Sequence, residues 1–100
     1  MSYKVQILPV AKRDIQKGLE WYNDQKQGLG AEFYTSVKSR IDYIQKNPFH
    51  YQIQYRNIRR APVDRFPYSV YYELGESQQL LLIFGVIHTS RSPEISESRR

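Results

Sequence analysis

Two prolines, Pro9 and Pro48, stand where the spacing of apolar residues changes, dividing the chain into a strand, a helical stretch and a run of strands. Before Pro9, the apolar residues Tyr3, Val5 and Ile7 alternate with Lys4 and Gln6, the period of a half-buried strand over residues 3–8. Proline has no N–H to offer a sheet, yet at the first position of a helix that loss costs nothing. Beyond it Ala11, Ile15, Gly18 or Leu19, and Tyr22 recur at steps of three and four, forming one apolar stripe. Lys12, Arg13, Gln16, Lys17 and Glu20 fall off that stripe, and the helix is predicted to run to about Gln25. The segment Gln27-Gly28-Leu29-Gly30 breaks it, because two glycines permit the positive φ of a tight connection. A second helix then buries Phe33 or Tyr34, Val37, Ile41 and Ile44. It ends at Asn47, since a residue before proline is pushed out of the α region. The short link makes the pair an antiparallel αα-hairpin.

After Pro48 the pattern is that of strands. Residues 51–55 alternate, residues 57–64 form a weaker strand in which Pro62 marks an edge or a bulge, and residues 68–74 alternate again. A turn over residues 75–79 leads to a continuously apolar stretch, residues 80–87, predicted as the central strand, buried on both faces. The stretch from Ser90 onward is polar and predicted to fray. Like elements grouped in this way imply α+β: an N-terminal strand, the αα-hairpin, then a four-stranded, mainly antiparallel sheet segment. The helices cover one face of the sheet and leave the other for something else.

At 100 residues the chain has the size of one domain, read here as residues 1–92 with a polar tail over 93–100. The absence of cysteine removes disulfides, thiolate metal sites and a cysteine nucleophile. The opening residues have no apolar core of a signal peptide, and no apolar run approaches the ~20 residues of a membrane span, so a cytoplasmic protein is expected. No Gly-rich phosphate loop, paired metal-ligand histidines or Gly-x-Ser-x-Gly elbow occurs, and no cofactor or metal is expected.

The net charge is +5, from fifteen lysines and arginines against ten acidic residues. All lysines lie at or before Lys46, and beyond it every basic residue is arginine. Arginine forks onto phosphate and carboxylate, which points to a nucleic acid or an acidic protein segment as partner. Arg59, Arg60 and Arg65 fall close together with Phe66 and Tyr68 beside them, residue types suited to clamping phosphates and stacking on bases. The plainer alternative is arginines paired at the surface with Asp64 and Glu73, a weak contribution. Ser69 and Tyr71 share one face of their strand, and with Arg65 they are candidates to line an uncovered sheet face. His88 ends the apolar strand, ahead of Arg91 and Pro93, where a histidine serves as general acid or base or merely as a satisfied strand end. His50 is read as structural.

Taken in order, the residues resemble the RelE/ParE superfamily of bacterial type II toxins over nearly the whole chain. The resemblance is carried by the opening strand, Trp21-Tyr22, Gly28-Leu29-Gly30 leading into Phe33, and Ile44 with Asn47-Pro48. It continues through Ile58-Arg59-Arg60, Arg65-Phe66-Pro67-Tyr68 with Val70-Tyr71-Tyr72, and Val86-Ile87-His88 with Arg91 and Pro93. The last two segments look most like the ParE-type, plasmid-stabilisation branch. The resemblance implies a toxin made with a neutralising antitoxin, whose acidic, partly disordered segment would fold on binding. RelE-like members cut mRNA in the ribosomal A site, and ParE-like members poison DNA gyrase. RelE-like nucleases typically carry an arginine where Ser69 stands and a tyrosine where Ile95 stands, while ParE-like chains often carry a tryptophan near Ile95 or Ser96.

The resemblance therefore implies a gyrase-binding toxin, with Arg59, Arg60, Arg65, Ser69, Tyr71 and Arg91 toward target or antitoxin. The alternative is a metal-independent, ribosome-dependent endoribonuclease using Arg65, His88 and Arg91. A third reading is a non-toxic module that keeps the scaffold and pairs only with an antitoxin.

Overall fold

The elements follow the two prolines. The computed structural model describes residues 3–75 and 79–90. In chain order these form β1 (Lys4–Ile7), α1 (Pro9–Gln25), α2 (Leu29–Lys46), β2 (Ile53–Tyr55), β3 (Ile58–Pro62), β4 (Tyr68–Gly75) and β5 (Leu80–His88). Pro9 is the first residue of α1, two positions earlier than the apolar stripe indicates. At the hairpin, Gly28 takes φ +91° and its N–H donates to the Asn23 side chain. Gly30 lets the helices meet, since a Cβ there would lie 2.3 Å from the Leu19 carbonyl oxygen.

The sheet order is β1-β5-β4-β3-β2. β1 runs parallel to β5, with Lys4 opposite Leu80 and Ile7 opposite Ile83, and the remaining neighbours are antiparallel. The fold is α+β, with two corrections to the sequence reading. The central strand is β4, not β5, because β1 returns to flank β5. β2 is only three residues long and exposed throughout, so its alternation buries nothing; as an edge strand it has one partner and no helix over it.

The helices cover one sheet face. There Phe33, Val37, Ile41 and Ile44 of α2 and Ala11 of α1 pack on Ala61, Val70, Tyr72, Leu81, Ile83 and Val86. Tyr22, Phe33, Phe66 and Tyr68 form an aromatic cluster, edge-on except for the tilted Tyr22–Phe33 pair, with centroid separations from 4.8 to 6.1 Å, that joins both helices to the start of β4. Such pairs add about 0.5–1.5 kcal/mol each beyond the area they bury. The Phe66-Pro67-Tyr68 segment is thus a structural joint.

On the second face Ile58, Tyr71, Phe84 and Ile87 form a smaller cluster, with Leu8 against it. A bulge places Phe84 there: Tyr71 faces Gly85 and Tyr72 faces Ile83, so Phe84 is the extra residue. Consequently Ile83 and Val86, three apart, both reach the helix side. This second face is not the open surface expected. Ser69 is 0 % and Tyr71 4 % exposed.

Candidate functional site

A concavity lies between α1 and the adjoining ends of β4 and β5. Two neighbouring cavities, of about 240 and 460 Å³, share Trp21, Tyr68 and His88. Asp14 and Lys17 of α1 line the first, and Tyr22, Pro67 and Ser90 line the second.

Local geometry builds this groove. β1 pairs with β5 only as far as Ile83, because Pro9 turns the chain into α1 while β5 continues to His88. α1 takes the place of β1 along that edge, and one Asp14 carboxylate oxygen accepts the Val86 N–H at 3.0 Å. A buried sheet amide is thereby satisfied by a helix side chain. One turn further along α1 is Lys17, and a second turn brings Trp21, 56 % exposed, with its ring edge-on to Tyr22 at 5.0 Å.

His88 closes the groove on the sheet side, 5.3 Å from Tyr68 between ring centroids. Its Nδ1 accepts the Ser90 backbone N–H at 3.1 Å and lies 2.9 Å from Ser90 Oγ. A nitrogen that accepts an N–H carries no proton, so in the neutral ring the hydrogen is on Nε2. The geometry makes His88 a hydrogen-bond donor and leaves no free ring nitrogen for a general base.

Of the sequence-predicted arginines, Arg59, Arg60 and Arg65 do not gather on one uncovered face. Arg59 stands opposite Tyr72 and Arg60 opposite Tyr71, so the pleat sends these neighbours to opposite sides of the sheet. Arg59 lies on the helix side, donates to the Tyr51 carbonyl at 2.6 Å and covers the Phe49 ring at 5.1 Å. Arg60 is on the second face and half-buried. Arg65, in the loop after β3, takes a positive φ of 72° and pairs with Glu32 of α2 at 2.7 Å. It lines a separate cavity with Ala31, Thr35 and Ser36. Ser69 and Tyr71 are buried on the second face, and Ser69 Oγ has no partner among the described residues. Arg91, Ile95 and Ser96 lie outside the described residues. Asp64, a partner of the clustered arginines in the plainer alternative, accepts from Arg40 at 2.8 Å, and Arg40 also donates to the Tyr51 hydroxyl.

His88 and Tyr68 are the singled-out residues that the groove contains. Sequence reasoning passed over Asp14, Lys17 and Trp21 as site residues. A signal was present for Trp21, a large aromatic lying off the apolar stripe of α1, where burial cannot account for it. Asp14 gave none, because its partner is a backbone amide from the other end of the chain.

No group of three or more His, Cys, Asp or Glu residues that could hold a metal occurs among the described residues. None of their helices is long and apolar enough to cross a membrane.

Residues 5–93 match the family model for the ParE toxin of the parDE type II toxin–antitoxin system. The chain belongs to the ParE toxin family. No curated protein sequence matches it. The fold of this ParE-family chain is similar to that in the chromosomal ParDE toxin–antitoxin system of P. aeruginosa, with TM-score 0.76, 11 % identity, and coverage of 86 % of this chain and 95 % of that one. It is similar to the isolated E. coli RelE toxin, with TM-score 0.67 and 13 % identity over 96 % and 94 % of the two chains. A third likeness is to the RelBE2 toxin–antitoxin complex of Mycobacterium tuberculosis, with TM-score 0.63 and 16 % identity over 88 % and 99 %. At these identities the likeness is one of fold. The ParE-family match accounts for the chain order of the segments noted above, most of which serve packing.

Proposed function

We propose that this chain is the toxin of a type II toxin–antitoxin pair, that it acts by binding DNA gyrase, and that a cognate antitoxin neutralises it. The observation that carries the binding mode is the separation of Arg65 from His88. Cleavage of RNA through its 2′-hydroxyl needs a proton acceptor and cations on one phosphate. Here Arg65 is paired with Glu32 in one cavity, while His88, its Nδ1 already accepting a hydrogen bond, lines another. Ser69, at the position where RelE-like nucleases typically place an arginine, is fully buried. The ParE-family match supports the same reading.

The test is a supercoiling assay on relaxed plasmid with purified protein. Gyrase inhibition that is relieved by the antitoxin is expected. Ribosome-dependent mRNA cleavage with supercoiling unaffected would reverse the assignment.

A further inference from the structure

The β2–β3 hairpin lies at the edge of the sheet farthest from the α1–β5 groove. Residues 43–63 contain no acidic residue but hold Lys46, Arg56, Arg59 and Arg60. The acids that bracket this stretch are already paired, Asp42 with Lys38 and Asp64 with Arg40. Glu73, opposite Ile58 on β4, keeps Oε1 out of solvent. Negative charge is thus withdrawn from this edge, and a second copy of the chain would bring only like charge to it.

Phe49 and Tyr55 are 57 % and 39 % exposed, and each has a guanidinium against its ring. Arg59 lies 5.1 Å from the Phe49 centroid and Arg56 lies 5.5 Å from that of Tyr55. Ile53 stands opposite Arg59 and Tyr55 opposite Ile58, so a bulge at Gln54 sends Ile53 and Tyr55 to opposite sides of the edge. One aromatic–arginine pair therefore sits on each side of the free strand. Between the pairs, residues 52–57 are exposed throughout and include the amides of Gln52, Gln54 and Asn57. In the turn that joins the strands Arg56 takes φ 53°, a backbone that glycine adopts without strain. A guanidinium stands there instead.

Exposed rings backed by guanidinium groups stack on bases, cations take phosphates, and amides take base edges. The paired bases of a duplex offer no free face to such rings, so the ligand is single-stranded. An acidic peptide would engage the cations and leave both rings unused. We infer that the β2–β3 edge binds single-stranded DNA, with Phe49 and Tyr55 stacking on bases and Lys46, Arg56 and Arg59 facing phosphates. The choice of DNA over RNA rests on the gyrase reading above, since gyrase works on DNA; the stacking surface does not depend on it.

The probe is a fluorescein-labelled oligothymidylate of about 12 nucleotides, a length within the range that one small domain covers. Its binding to the full chain is followed by fluorescence anisotropy at several salt concentrations. Phe49→Ala and Tyr55→Ala are each expected to weaken binding about tenfold, whereas Tyr55→Phe, which keeps the ring, binds as the wild type. Arg56→Gln is expected to lower the slope of log affinity against log salt by about 0.7, the share of one phosphate contact. Tyr34→Ala and Lys38→Gln, exposed on α2, leave binding unchanged. The exposure of Phe49, Tyr55 and Arg56 lets the variants fold, checked by circular dichroism.

Absence of binding at low salt, or binding that survives both ring deletions, would overturn the site. Equal weakening by Lys38→Gln and Arg56→Gln would also overturn it, since general attraction would then explain the effect. Tighter binding of an oligouridylate of the same length would overturn the choice of DNA, and displacement of the probe by an oligoglutamate would assign the edge to an acidic protein. No gyrase enters this assay. Protein that inhibits supercoiling without binding the probe would sink this site alone, and protein that binds the probe without inhibiting supercoiling would sink only the gyrase reading.

Discussion

Tyr72 puts a hydroxyl at the centre of the helix-covered core and satisfies it by donating to the Pro48 carbonyl at 2.9 Å. The bond ties β4 to the proline that ends α2. Burial raises the phenol from its ordinary 10.0 to about 12; neighbouring Arg59 works against that rise and Tyr51 adds to it. The fold holds the neutral phenol, so this stabilisation is complete below pH 10 and is lost as pH climbs from 10 through about 12. Tyr22 is also raised, chiefly by burial and then by Tyr68, and contributes with the same sign. Tyr72→Phe is expected to cost about 1–2 kcal/mol at pH 7 through the lost hydrogen bond. Its unfolding free energy should then fall less steeply than wild type between pH 10 and 12. Urea titrations across that range, giving equal slopes for the two proteins, would contradict the argument.

At the level of elements, the helical hairpin depends on a backbone-to-backbone approach at Gly30. A Cβ there meets the Leu19 carbonyl oxygen, which no side-chain rotation can move aside. Gly30→Ala should therefore cost about 2 kcal/mol or more by forcing the helices apart. Gly28→Ala, with nothing within 4 Å and only its positive φ to oppose it, should cost about 1 kcal/mol. Equal midpoints in denaturant would refute this account of the packing.

The same scale shows what the sequence made legible. The switch between steps of three or four and steps of two placed β1, α1, α2 and β4, because there the period follows from the face an element buries, whereas β5 was read from an unbroken apolar run and β2 from an alternation that buries nothing. The bulge at Phe84 was hidden in a run that is apolar at nearly every position, where alternation has no contrast. The division of Arg59 from Arg60 was written in the strand period, but reading their closeness in sequence as closeness in space concealed it. The α1–β5 groove stayed out of sight because it joins Asp14 to Val86, and nothing local to either residue announces the other.

For the molecule as a whole, β4 and β5 carry most of the buried sheet, while β2 has one partner and no cover. Amides of these two inner strands are expected to exchange hydrogen most slowly, near the rate set by global unfolding, and those of β2 fastest. Native-state exchange showing β2 as protected as β4 would contradict that ranking. The parallel pairing of β1 with β5 has one more consequence, in time. The strand made first has its partner among the strands made last, and at 5–20 residues per second translation separates them by roughly 4 to 15 seconds. In the later half of that delay a nascent chain has made α1 and α2 but not the strands that complete the sheet beneath them, so β1 waits unpaired until synthesis is nearly done.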